Sequence, residues 1–425
     1  MIESPVVIKR QSDKRVTPLL LAGLIAVALP ATGQPPAWDG NSEVAAGRAQ
    51  LGPWQMNESP WDYVDDPTVA FDARGGIAVA WVDQGRKDVF FQKLDANGKP
   101  LADPVNVSRS PKVFSWLPRI ALDSTGRILV LWQEIIFSGG SHGGDILFAR
   151  SEDGGRTFSK PENLSNSVAG DGKGRITKDL WHNGSLDLAV SGNSLYTAWT
   201  EYEGALWFRR STNSGESFSH KLQIQDTQPA RAPSLAVHGN TVYLAWTVGD
   251  DAAADIRVAK SSDGGASFAA PVIVERSKGY SDAPKLAVDA HGVLHLVYSE
   301  NRRILYSRSS DGAASFERPR DISGGNAGFP SLGVDANGNL CVLWERFVGG
   351  APRPRGLGIA VSRDAGHSFE VDQVPDRASA GWNGSLQGML ARKLAVHRDG
   401  AIAIVNSTIQ EREGSHVRLM RGRLR

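Results

Sequence analysis

Seven stretches of the chain repeat one pattern, and that repetition restricts the fold more than any other feature. They begin at Pro67 (PTVAFDARGGIAVAWVD), Pro118 (PRIALDSTGRILVLWQE), Leu186, Pro233, Pro284, Pro330 and Arg392. Each holds a short apolar strand, a turn rich in Asp, Asn, His and Gly, and a second strand that usually ends in Trp. Period-two alternation across a Gly-bearing turn specifies a β-hairpin. Recurrence of that unit along the chain specifies radial repetition. After each of the first six hairpins come a third strand, such as DILFARS or RILYSRS, and a turn leading to a fourth, such as ENLS. The expected fold is therefore all-β: a β-propeller of four-stranded blades, seven in number, with six as the alternative. The seventh unit has three strands only. Residues 43–58 are expected to supply its outer strand, so that an N-terminal strand closes the last blade and removes an open edge.

Between third and fourth strands a second motif recurs: SEDGGRTF at 151–158, STNSGESF at 211–218, SSDGGASF at 261–268, SSDGAASF at 309–316 and SRDAGHSF at 362–369. The Ser and Asp oxygens accept from nearby backbone N–H groups and hold a tight turn. The Phe returns the chain to the apolar face, where it can wedge between sheets. The second copy has Asn213 for Asp, and the fourth has Ala313 for Gly. This pattern resembles the Asp-box (BNR repeat) of the sialidase, or neuraminidase, superfamily of propellers, over about residues 60–425. The resemblance implies either an exo-acting glycoside hydrolase or a non-enzymatic relative.

Composition restricts partners. Lys and Arg number 47 against 46 for Asp and Glu, so no charge excess points to nucleic acid. The nine His residues show no metal-ligand spacing, so neither a metal nor another cofactor is expected. Cys341 stands alone in an apolar strand and reads as a small core residue. At the N-terminus, Lys9, Arg10, Lys14 and Arg15 precede the apolar run Leu19–Leu29 and the small residues at 31–33. That order is expected of a secretory signal peptide over residues 1–33. It leaves residues 34–425 as one propeller domain, secreted or periplasmic, with no membrane span in the mature chain. The alternative is a chain tethered to the membrane by an uncleaved signal anchor.

In a propeller, residues just before each first strand and just after each second strand meet on one face, at the channel mouth. Pockets of this kind are default binding sites. The positions before the first strands offer Asp65, Trp116, Arg231 and Asp282. Those after the second strands offer Glu134, Glu201, Glu300 and Arg346, with Tyr280 and Arg302 nearby. Trp181 and Trp382 sit in the related strings WHNGS and WNGS of two inter-blade insertions. A Trp beside hydrogen-bonding residues suits a sugar, so the expected partner is a glycan, acidic in one version, or an extracytoplasmic protein. The sialidase resemblance further implies an arginine clamp for a carboxylate, drawn from Arg231, Arg302 and Arg346, with Tyr280 as nucleophile, Glu300 as its base and Asp282 as acid/base. The Arg-Ile-Pro string typical of that family's first blade is absent, since Asp65 and Trp116 hold those slots. An Arg-x-Pro string, RAP, appears at 231–233 in the fourth unit.

Overall fold

The computed structural model describes residues 35–135, 144–167, 170–224, 229–249, 253–375, 381–385 and 391–424. The expected signal peptide at 1–33 lies outside the described residues. Seven four-stranded antiparallel sheets follow one another as blades of a ring. Their innermost strands are Val64–Phe71, Ser115–Leu122, Leu186–Ser191, Ala230–His238, Ser281–Val288, Ala327–Val334 and Leu394–Val396. A separate hairpin, Lys173–Thr177 with Leu180–Asn183, rises from the insertion between blades two and three.

The ring is closed by an N-terminal strand in blade seven, but that strand is Ala37–Gly47 and not 43–58. It pairs with Gly414–Arg423, from Ala37 opposite Arg423 to Gly47 opposite Ser415. Val44 and Ala45 pack into the cluster that joins blades seven and one. The expected range ran past the strand's end because residues 48–63 carry Pro53 and Pro60, which cannot donate to a ladder. That segment instead folds back on itself through the Gln50–Asp62 bridge.

The anchor aromatics Trp81, Trp132, Trp199, Trp246, Tyr298 and Trp344 are all buried, and Asn406 occupies the seventh place. The Asp-boxes explain how blades interlock. In the first, Ser151 Oγ donates to Asp153 Oδ1 at 2.8 Å and accepts the Gly155 N–H at 2.8 Å. Asp153 also accepts from the Thr157 N–H and hydroxyl. With Asn213 in the second copy, the side-chain bond is kept with its direction reversed, Asn213 Nδ2 donating to Ser217 Oγ at 3.0 Å. The box Phe then packs against the third strand of the preceding blade: Phe158 on Phe91, Phe218 on Phe148, Phe268 on Phe208 and Phe369 on Tyr306.

The box glycine is fixed by the same contact. A Cβ on Gly155, Gly215, Gly265 or Gly366 would run into the ring of Phe91, Phe148, Phe208 or Tyr306. In blade four the corresponding third-strand residue is Val258, and the box opposite it carries Ala313 in the same packed cluster. The one alanine thus stands where the neighbouring ring is missing, and its N–H still donates to Ser309 Oγ at 2.9 Å.

Each blade presents the free edge of its innermost strand to the axis, and at three junctions a ring residue of the neighbouring blade supplies an acceptor. Asp187 Oδ2 accepts from Leu235 N at 2.8 Å, Ser234 Oγ from Leu286 N at 3.1 Å and Ser331 Oγ from Lys393 N at 3.4 Å. These belong to a buried polar ring, one residue per blade: Thr68, Arg119, Asp187, Ser234, Lys285, Ser331 and Lys393. Two residues further on, every blade has a small side chain: Ala70, Ala121, Ala189, Ala236, Ala287, Gly333 and Ala395. They line the axial cavity.

Two outcomes test this architecture. Val258→Phe is expected to destabilise the protein by about 1–3 kcal/mol through overpacking against Ala313. Adding Ala313→Gly should recover most of that loss in urea denaturation, whereas strictly additive effects would show that the two positions do not share one contact. Deleting residues 34–47 should lower the thermal unfolding midpoint and promote self-association through the exposed edge, read by scanning fluorimetry and light scattering. An unchanged midpoint would remove the strand from the closure.

Candidate functional site

The face where first strands begin gathers the inter-blade insertions and the turns after the second strands. Its best-defined feature is the hairpin over residues 173–183. Trp181 stacks on Tyr202, from the turn after the second strand of blade three, with ring centroids 3.9 Å apart and planes at 22°. Arg175 lies over Trp181 at 5.4 Å and Lys173 Nζ lies 5.5 Å from the Tyr202 centroid. Burial pushes the Lys173 amine down to about 8. Both rings are half-buried, and Leu180 at the hairpin tip is 53% exposed.

The hairpin covers Arg231. Of the two arrangements open to that arginine, pairing with Asp282 or gripping a ligand carboxylate, the structure adopts the first. Arg231 Nη2 lies 2.7 Å from Asp282 Oδ1, Nε donates to the same oxygen at 3.0 Å, and Nη1 donates to the Arg175 carbonyl at 3.2 Å. Its side chain is 1% exposed, and Tyr280 lies beneath the guanidinium at 5.0 Å. The other clamp candidates have their own contacts. Arg302 is exposed and lies over Phe347 at 3.9 Å, while Arg346 donates to Gln373 Oε1 at 3.0 Å. Glu300 Oε2 accepts from the Ser277 and Ser281 hydroxyls at 2.5 and 2.8 Å.

Several other expected site residues serve the ring. Glu134 Oε1 accepts from the Trp132 indole at 3.0 Å and from Ser110 at 2.6 Å. Glu201 neighbours Asp171, whose carboxyl is pushed up to about 8 by burial and by the Glu201 charge. Asp171 accepts from the Trp199 indole at 2.8 Å. Asp65 is buried and accepts the Ser385 N–H at 2.6 Å, which ties the WNGS insertion to blade one. In the same insertion Asn383 is buried, donating to Glu345 Oε2 and to the Gly356 carbonyl. Trp382 is half-buried with Arg355 over its face at 4.4 Å. Trp116 is buried within an aromatic cluster.

That cluster was not anticipated from the sequence. Trp61 packs on Trp54 at 5.0 Å, on Trp116 at 5.5 Å and on Phe114 at 5.7 Å. Trp54 is 37% exposed, and Lys87 Nζ lies 5.1 Å from the Phe114 centroid. The available signal was position: Trp54 and Trp61 precede the first hairpin and have no counterpart in the repeat. Asp66 was also missed. Burial, then its neighbour Asp65, holds its carboxyl well above the usual carboxylate range. Among the described residues no cluster of His, Cys, Asp and Glu suits a metal ion, and no helix is long and apolar enough to cross a membrane.

Breaking the Arg231–Asp282 pair strands a charge in the ring. Arg231→Ala is expected to cost about 3–5 kcal/mol, the scale for removing one partner of a buried ion pair. Replacing both members, as Arg231→Met with Asp282→Leu, should recover much of it. Urea denaturation checks both, and a neutral Arg231→Ala would return this arginine to the set of ligand-binding candidates.

Comparison with known proteins fits this architecture. The family model described as BNR repeat-like domain matches residues 96–342. No curated protein matches the sequence. Among solved structures, a polysaccharide lyase of family PL25, an ulvan lyase bound to -[GlcA(1-4)Rha3S]-, is similar with a TM-score of 0.56 and 12% identity, over 84% of this chain and 93% of that one. A protein of unknown function from Dyadobacter fermentans has a TM-score of 0.50 and 13% identity, over 91% of this chain and 100% of its own. An α-L-arabinofuranosidase from Fusarium graminearum has a TM-score of 0.49 and 13% identity, over 74% of this chain and 94% of its own. With more than half of its length matched by the family model and the repeats in register, the chain belongs to the BNR repeat-like domain family.

Proposed function

We propose that this propeller, exported by way of its N-terminal segment and cut to residues 34–425, is a binding module for an acidic glycan. The site is the 173–183 hairpin with Tyr202. The observation that carries this reading is the aromatic stack of Trp181 on Tyr202, bracketed by Arg175 and Lys173. The half-buried ring edges and the exposed Leu180 offer apolar contact to a sugar, and the flanking cations match a carboxylate or sulfate. The ulvan lyase of similar fold is itself bound to a saccharide containing GlcA.

The alternative is an exo-glycosidase of sialidase type, with Tyr280, Glu300 and Asp282 doing the chemistry. Its arginine clamp needs Arg231 open to substrate, and the Asp282 pairing and the Arg175 carbonyl leave that guanidinium sealed. Glu300, the base for Tyr280 on this reading, already holds two serine hydroxyls. Binding rather than turnover is therefore the better-supported reading. A protein partner at the same face is the remaining version of it.

Affinity electrophoresis and a glycan array with carboxylated, sulfated and neutral polysaccharides test it. Trp181→Ala should weaken binding of a uronate-containing polysaccharide at least tenfold, about 1.4 kcal/mol. The unfolding midpoint should move little, and a fluorogenic sialoside should remain uncleaved. Binding indifferent to Trp181→Ala would overturn the assignment of the site, and sialoside turnover would favour the hydrolase.

A further inference from the structure

The axis carries a second concave feature, lined by the hairpin side of the innermost strands. A cavity of about 550 Å³ has the ring of small side chains as its wall and the turn residues Asp72, His397 and Arg398 in its lining. Its inner end is polar. There Arg392 of blade seven reaches across to Asp187 of blade three and holds the carboxylate at 2.8 and 2.9 Å. Blades seven and three are not neighbours, so this ion pair spans the axis. Asp187 also receives the Leu235 N–H and lies 3.9 Å from Arg119 Nε. Its oxygens are thus committed.

Lys285 stands beside this pair. It is 6% exposed and lines the cavity. Its ammonium makes no hydrogen bond or ion pair among the described residues. Ser234 and Ser331 line the same end, and both use their oxygens to accept backbone N–H groups. A hydroxyl keeps one proton to donate after such a bond. The carboxylates that act on Lys285, Asp187 and Asp282, are each already held by an arginine, Arg392 and Arg231, and a buried uncompensated charge is costly.

We propose that the axial cavity is a binding site for a small monocarboxylate with an apolar body. Its carboxylate accepts from Lys285 Nζ and from the Ser234 and Ser331 hydroxyls, and its apolar part lies along the small side chains of the wall. A phosphate would bring more oxygens than these donors serve and would leave the apolar wall uncovered. A neutral ligand would leave Lys285 uncompensated. This proposal is independent of the glycan reading, since it uses none of the residues around Trp181.

The pH dependence follows from the charges facing the amine. Burial pushes Lys285 down to about 7; Asp187 and Asp282 oppose that shift, while Arg119 and Arg392 add to it. A bound carboxylate favours the ammonium form, so binding near neutral pH takes up a proton. While the ligand carboxylate stays ionised, affinity is greatest below the free amine's pKa of about 7 and falls as pH rises from there to the amine's pKa in the complex. His397 and Arg398 at the turns also face the cavity, and a Lys285 variant separates their effect from that of the amine.

Scanning fluorimetry and isothermal titration on residues 34–425 with sodium hexanoate provide the test, with hexanol and hexylammonium as controls. Hexanoate should raise the unfolding midpoint saturably and bind one to one, at least fivefold more weakly at pH 9 than at pH 6.5. Hexylammonium should give no shift. Lys285→Met should fold, show a raised midpoint at pH 6.5 and lose at least tenfold in hexanoate affinity along with its pH dependence. Ala287→Leu, which narrows the cavity and leaves the amine in place, should also lose the response, while Trp181→Ala should keep it. The proposal is overturned if hexanoate gives no saturable response at either pH, or if Lys285→Met binds it as wild type does.

Discussion

Every blade has an innermost strand with one edge unpaired, and the rest of the ring depends on how those edges are satisfied. An unpaired backbone donor buried away from water costs about as much as a lost hydrogen bond. The chain meets the demand with side chains from the neighbouring blade, as when Asp187 receives Leu235 N and Ser234 receives Leu286 N. This accounts for the Asp and Ser members of the polar ring at a depth where a core would otherwise be apolar, whereas Arg119, Lys285 and Lys393 have no side-chain acceptor to offer. It also couples those blades, because the inner edge of one is completed by its neighbour. A blade taken alone would have open donors on one side and unused acceptors on the other.

The Asp-boxes join the same blades at larger radius. Each box Phe sits against the third strand of the preceding blade, and the box glycine leaves room for the ring it meets. The substitutions obey this contact. Asn213 keeps the clamp by reversing one donor, and Ala313 occurs opposite Val258, where no ring presses. A departure from the motif is thus decided by the blade beside it, and the motif can vary without loss of closure.

The repeat made the fold legible. Hairpin periodicity and the boxes follow from local pattern, and both survive in the structure with seven blades. The closing strand was misplaced because its limits depend on pairing with residues 414–423, more than 350 positions away, and local alternation carries no trace of that register. The proposed site was legible in part. Trp181 was visible as a Trp in an insertion, and its face is set by Tyr202. Arg231 was visible as a charge before a first strand. Its engagement with Asp282 and with the Arg175 carbonyl depends on where the hairpin folds, which no local signal encodes.

These outcomes share a cause. Positions in register with the repeat lie where blades meet, and polar residues there are drawn into closing the ring. Asp65, Glu134, Arg231 and Asp282 all hold repeat positions, and each ends in a contact that ties separate segments of the ring together. Residues outside the register, such as Trp54 and Trp181, lie on segments added to the ring and hold no repeat position. In a propeller of this kind the ligand-binding surface is therefore better sought in what interrupts the repeat than in what recurs within it. Lys285 is the exception that supports the rule. It holds a repeat position, yet its ammonium bonds to no neighbour among the described residues, and it faces the cavity at the ring's centre.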